Sequence, residues 1–246
     1  MKKKIFLFLL ISAAIFTVNA QEKSTATKKD WSKTDLSNRA NDHLMLQYGY
    51  DGWSGTNDTI SPSGFSRHFN IYFLYDMPFK TSPHFSVAIG AGIGSSNIFF
   101  KNTFVNIKSL TATLPFTNVS ATNHFDKFKL VTTYLEAPVE FRYASNPVQP
   151  DKGFKLAAGL KVGTLLKSYT KGKNWVNANG ETVYGKNYVN KESYKKFING
   201  TRLAVTGRFG LGNFSIDGSY QLTSFLKSGA GPAINPYSIG VTLSGL

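Results

Sequence analysis

The chain has 246 residues and no cysteine, which excludes a disulfide scaffold and any thiol-ligated metal site. Its formal charge of +14 is dispersed rather than clustered, and the chain reads as exported, so nucleic acid is excluded as a partner. The expected counter-charges are anionic lipid headgroups or surface glycans.

Residues 1–20 read as a signal peptide. Lys2, Lys3 and Lys4 form a basic start, residues 5–18 are apolar, and Val18-Asn19-Ala20 fits a cleavage site. The apolar run is short of the roughly 20 residues that span a bilayer. No Cys follows it, which excludes a lipoprotein anchor. No later stretch resembles a membrane helix, so a polytopic helical protein is also excluded. Residues 21–42 are polar and lysine-rich without an apolar period, and are expected to form a flexible periplasmic tail.

From residue 43 onward the chain alternates with period two, the mark of β-strands. Eight segments are expected as strands: 43–52, 68–79, 84–100, the two arms of a hairpin over 133–169 with its turn at 145–153, and 201–211, 214–223 and 237–246. In the hairpin, Leu135, Ala137, Val139, Phe141 and Tyr143 share one face of the first arm. Phe154, Leu156, Ala158, Leu160, Val162, Thr164 and Leu166 share one face of the second. The opposite faces carry the glycines and charges.

Across all eight strands the non-apolar face holds Asp51, Asp76, Glu136, Glu140, Arg142, Lys155, Lys161, Lys167, Arg202, Arg208 and Asp217, and the apolar face holds no charge. A Lys or Arg facing lipid costs about 2–4 kcal/mol at the midplane. A soluble sandwich would put its charges on the solvent face instead. The expected fold is therefore an all-β, transmembrane, antiparallel up-and-down barrel of eight strands, over residues 43–246. Residues 103–114 also alternate in part, which leaves open an extended neighbouring strand or an added hairpin making ten.

The connections alternate in length. Residues 54–67, 101–131, 171–199 and 224–234 are long, and residues 80–83, 145–153 and 212–213 are short. Outer-membrane barrels have short periplasmic turns and long outer loops, which places both termini in the periplasm.

The stretch Tyr134-Leu135-Glu136-Ala137-Pro138-Val139-Glu140 resembles the Tyr-Leu-Glu-Ile-Pro strand of PorT-like outer-membrane barrels of Bacteroidetes. The Ala20-Gln21 junction and the lysine-rich start are similar to exported proteins of that phylum. The resemblance implies a small integral outer-membrane barrel, and some members belong to a gliding-associated secretion machinery. The chain departs from barrels that end in an aromatic residue, since it closes on Ser244-Gly245-Leu246. Its expected assembly signal is the internal series Tyr237, Ile239, Val241 and Leu243.

No phosphate loop, paired metal ligands or nucleophile elbow is present, and no cofactor is expected. His84-Phe85-Ser86 matches the His-x-Ser pair of lipid A deacylases but falls at the periplasmic end, where a strand-capping role fits better. Asp51 and His68 are able to meet at the outer rim, as a protease would require. Among the inward charges, Glu136 and Glu140 lie on the strand beside Lys155 and Lys161, and the group reads as a salt-bridge network filling a narrow lumen. A proton or ion relay is the alternative. Lys171, Lys173, Lys186, Lys191, Lys195 and Lys196 make the third outer loop basic and are candidate contacts for lipopolysaccharide phosphates or a surface partner. The first functional expectation is a non-enzymatic structural or interaction barrel, with protein partners at the outer loops or the periplasmic face, in a secretion assembly. A small channel or transporter comes second, and an enzyme acting on outer-membrane lipid third.

Overall fold

The computed structural model describes residues 43–56, 60 and 62–245; the expected signal peptide, the N-terminal tail and Leu246 lie outside them. Eleven strands follow in chain order: β1 (Leu44–Ser54), β2 (Arg67–Pro78), β3 (Phe85–Phe100), β4 (Thr103–Val105), β5 (Phe116–Asn118), β6 (His124–Ala144), β7 (Phe154–Val176), β8 (Val189–Ser193), β9 (Thr201–Leu211), β10 (Phe214–Gln221) and β11 (Asn235–Ser244). Among the described residues the one helical turn is the 3-10 turn at Pro150–Lys152.

Eight of the strands close a ring. The order is β6-β3-β2-β1-β11-β10-β9-β7, and β6 pairs with β7. Every ring pairing is antiparallel, and the first strand meets the last from Met45↔Ser244 to Ser54↔Asn235. The chain forms an up-and-down barrel, whose closure leaves no free edge in the membrane. Residues 103–114 do not supply a ninth and tenth wall strand. Thr103–Val105 pairs with Phe116–Asn118 in a separate two-stranded sheet within the second long loop.

The outer wall is apolar. Phe69, Ile71, Phe73, Tyr75, Ile93, Leu135, Val139, Leu160, Val162, Ile216, Ile239 and Val241 are all exposed, as a lipid-facing belt requires. Near the short turns the belt ends in ring contacts, with Phe85 stacked on Phe141 at 5.6 Å and Phe154 beside Tyr143 at 5.5 Å.

The two arms of the central hairpin run further than their alternation indicated. β6 has 21 residues and β7 has 23, where 9–11 suffice to cross a bilayer. Residues 124–131 and 171–176, expected as loop, are therefore strand standing above the belt. There they are joined by β8, which pairs with β7 from Tyr169↔Ser193 to Lys173↔Val189.

A bulge interrupts β7 near the top of the belt. Tyr134 faces Leu165 and Thr133 faces Lys167, so Leu166 is the extra residue. An extra residue shifts the side-chain parity beyond it by one. Lys167, expected in the lumen, is consequently exposed, while Leu165 is buried.

Candidate functional site

The lumen is filled by stacked polar layers. At the end with the short turns, buried Glu140 accepts hydrogen bonds from Arg142 Nε at 2.8 Å and Arg208 Nη2 at 2.9 Å. Arg142 Nη1 also lies 3.5 Å from Asp76, which accepts the Ser86 hydroxyl at 2.7 Å. Lys155 lines the same small cavity, whose volume is about 20 Å³.

The middle layer is centred on Glu136, which is 1% exposed. It accepts from Arg202 Nη1 at 2.9 Å and from the Tyr72 hydroxyl at 2.5 Å, and Lys161 Nζ stands 3.3 Å away. Lys161 also donates to the Tyr72 oxygen at 3.1 Å. The Arg202 guanidinium lies 4.0 Å over the Tyr134 ring and donates through Nε to Gln221 at 3.0 Å. Asp217 accepts the Thr242 hydroxyl at 2.7 Å.

The glutamates do not stand directly opposite the lysines expected beside them, although Glu136 still reaches Lys161. Glu136 and Glu140 face Gly163 and Gly159 across the β6–β7 ladder, while Lys161 faces Pro138 and Lys155 faces Ala144. The glycines give the glutamates room to lean over β7: a Cβ on Gly163 would lie 3.0 Å from Glu136 Cγ. Each carboxylate then reaches a β9 arginine as well. Pro138 has no N–H to donate, and the β3–β6 ladder is interrupted there, between Glu136↔Gly92 and Val139↔Ile89.

The upper layer joins His68 Nδ1 to Asp51 at 2.8 Å, and the Ser96 hydroxyl donates to the other Asp51 oxygen. Ser96 was not singled out in the sequence, because its partner lies two strands away. The cavity at this level, bordered by Asp51, His68, Arg202 and Gln221, holds about 40 Å³. That is room for about one or two waters and not for a substrate. His84 and Ser86 have separate partners: His84 Nδ1 donates to the Ala144 carbonyl at 2.8 Å and Ser86 to Asp76. Among the described residues no group of three or more His, Asp or Glu is placed to hold a metal ion.

Above the charged layers the loops build a cap with an apolar core of its own. Trp53, Ile98, Phe100, Val105, Ile107, Leu114, Phe128, Phe197, Phe225 and Ile234 are all buried in it. Trp53 lies at its centre, with ring centroids 4.8 Å from Phe225 and 5.8 Å from Phe100. Gly172 has no side chain where the Phe125 ring crosses β7, and a Cβ there would lie 2.3 Å from that ring.

The loop lysines divide into two groups. Lys171, Lys173 and Lys191 stand on the raised sheet of β7 and β8. Lys195 and Lys196 border an open cleft of about 550 Å³ with Lys167 and Lys227. Lys196 Nζ donates to the carbonyls of Leu110 at 3.3 Å and Thr111 at 2.8 Å, tying two loops together. Lys186 is exposed between Gly185 and Asn187.

No curated protein matches the chain. Among solved structures, Ail, the attachment invasion locus protein of Yersinia pestis, is 14% identical with a TM-score of 0.37, covering 82% of this chain and 95% of that one. The same protein in complex with the heparin analogue sucrose octasulfate gives 14% identity and a TM-score of 0.35, with 82% and 96% covered. In a phospholipid bilayer nanodisc it gives 14% and 0.32, with 83% and 99% covered. The sequence matches the family described as "Outer membrane protein beta-barrel domain" over residues 19–227. That match spans most of the chain and agrees with the closed ring and its apolar wall: the protein belongs to the outer membrane protein beta-barrel domain family and resides in the outer membrane.

Proposed function

We propose that the protein is a non-conducting, non-enzymatic barrel that acts as a structural or interaction protein through its outer cap. The observation that carries this reading is the double closure of the pore. Ion-paired layers fill the lumen, and an apolar core covers its outer mouth. Eight strands enclose a space just wide enough for side chains, so paired Arg, Lys and Glu side chains leave no continuous water path. Buried charges that are already paired and hydrogen-bonded are stabilising partners for one another, not free carriers for a relay. The Tyr134–Glu140 stretch supports a place among PorT-like barrels of Bacteroidetes, and through them a role within a secretion assembly. Residues 1–20 act as a cleaved export signal in this reading, with residues 21–42 in the periplasm. Purified mature protein in planar bilayers is the test. It is expected to give no stable unit conductance, and steady currents of reproducible unit size would replace this reading with a small channel or transporter.

A further inference from the structure

The raised sheet above the lipid belt carries like charges in register. Lys129 on β6 faces Lys171 on β7, which faces Lys191 on β8. One row further out, Lys127 faces Lys173. Arg67 joins the face through Phe99, whose ring centroid is 5.1 Å from the guanidinium and 5.5 Å from Lys129 Nζ. Lys191 lies 4.2 Å over the Tyr169 ring.

Like charges directly opposite in an antiparallel pair are destabilising, and here two such pairs share Lys171. Among the described residues none of these six basic groups forms an ion pair with a carboxylate. Partial burial and the neighbouring Lys171, Arg67 and Lys173 hold Lys129 below the ordinary lysine pKa, so the repulsion is not relieved within the chain. The bulge at Leu166 is what turns this face outward. With the same residues in unbroken alternation, Lys171 and Lys173 would point into the cap. Directly beneath stand Leu166, Val162, Leu160 and Leu135, all exposed on the lipid side. The first charged residue above them on β7 is Lys167. The face therefore begins where the acyl chains of the outer leaflet end.

We propose that the Lys129–Lys171–Lys191 row, with Lys127, Lys173 and Arg67, is a binding site for the phosphate groups of an outer-leaflet glycolipid. The acyl chains lie on the apolar wall below, and the phosphates supply the anions the sheet lacks. Charge-assisted bonds to phosphate are stronger than neutral ones, and three ammonium groups in one row serve phosphates as point charges. The inference depends on the outward placement of the long loops and not on the closed lumen, so the conductance experiment and this one fail separately.

Native mass spectrometry of the mature protein tests it. The two probes are a bisphosphorylated outer-leaflet glycolipid and its dephosphorylated form with the same acyl chains. Wild type is expected to retain the phosphorylated lipid at least about tenfold better. K129Q/K171Q/K191Q is expected to lose that preference while keeping its heat-dependent gel shift, because the substitutions remove repulsion and leave the barrel wall untouched. K195Q/K196Q, in the separate cleft, is expected to keep the preference. Equal retention of the two lipids by wild type overturns the proposal, as does an undiminished preference in the triple variant. A soluble sulfated oligosaccharide that displaces the lipid from this face at equal or lower concentration also overturns it, because the acyl chains would then contribute nothing.

Discussion

Glu136 shows how a single side chain binds the lumen together. It belongs to β6, yet its partners come from β2, β7 and β9: Tyr72, Lys161 and Arg202. Glu136→Leu leaves two cations inside the barrel without their shared anion, which costs about 3–5 kcal/mol. Lys161→Leu is expected to cost much less, because Glu136 keeps Arg202 and Tyr72. Urea unfolding in detergent, followed by the heat-dependent gel shift, measures both, and equal losses would show that Lys161 carries the layer. That Glu136 faces inward was legible, because lipid penalises the opposite parity. Of its partners only Lys161 was among those expected; Tyr72 and Arg202 were not. Alternation fixes the face of a residue but not the register of its neighbour, and the glutamate turned out to face Gly163. Gly92 and Gly94 on β3 stand against the same layer. A Cβ on Gly92 would lie 2.5 Å from the Tyr72 ring, and one on Gly94 would lie 2.5 Å from a Glu136 oxygen. The missing side chains make room for the network.

β7 is one strand with two environments, and the Leu166 bulge is the joint between them. Below the joint, Leu160→Lys puts a charge against lipid at about 2–4 kcal/mol if it sits near the midplane, whereas Lys161→Leu leaves the lipid contact intact. Leu160→Lys is expected to block assembly, judged by loss of the heat-dependent gel shift, and Lys161→Leu to assemble. Deleting Leu166 should have a different effect. It removes the extra residue, so inward Leu165 is followed directly by outward Lys167 and unbroken alternation keeps both the lipid belt and the lysine face as they are. Assembly by gel shift and the resistance of residues 177–187 to limited proteolysis are both expected to match wild type; loss of either would show that the bulge does more than set parity. The bulge was hidden because Leu166 and Lys167 continue the apparent alternation of the lower strand. The one local sign was the adjacent pair Leu165-Leu166, in which both residues are apolar. The strand extensions were hidden for a related reason. Lys127, Lys129, Lys171 and Lys173 break the apolar period, and only their pairing across strands gives them regular structure.

The molecule as a whole has one apolar surface facing lipid and a second apolar core facing nothing but itself. The first was legible from the one-sided charge distribution. The second was not, since Trp53, Phe100, Val105, Phe197 and Phe225 come from separate loops with no shared period. The loop lengths predict the orientation: a cysteine at Asn179 should react with an impermeant reagent on intact cells, and one at Val148 should not. Labelling at both positions would reverse or abolish the assigned sidedness.

The cap and the charged layers close the pore in series, and closures in series have a testable asymmetry. Replacing residues 104–117 with a short flexible linker removes Val105, Ile107 and Leu114 from the cap core together with the β4–β5 sheet. Those residues lie outside the eight-strand ring, so assembly should survive, as the gel shift would report. Opening the mouth exposes the upper cavity of about 40 Å³ to bulk water. Below it, Glu136 still holds Lys161 and Arg202, and Glu140 still holds Arg142 and Arg208. An ion would have to separate both sets of paired charges to pass, and breaking one such buried pair alone costs about 3–5 kcal/mol. The shortened protein is therefore expected to remain silent in planar bilayers. Unit currents that appear only after the loop is removed would show that the ion-paired layers admit ions and that the cap alone is the seal.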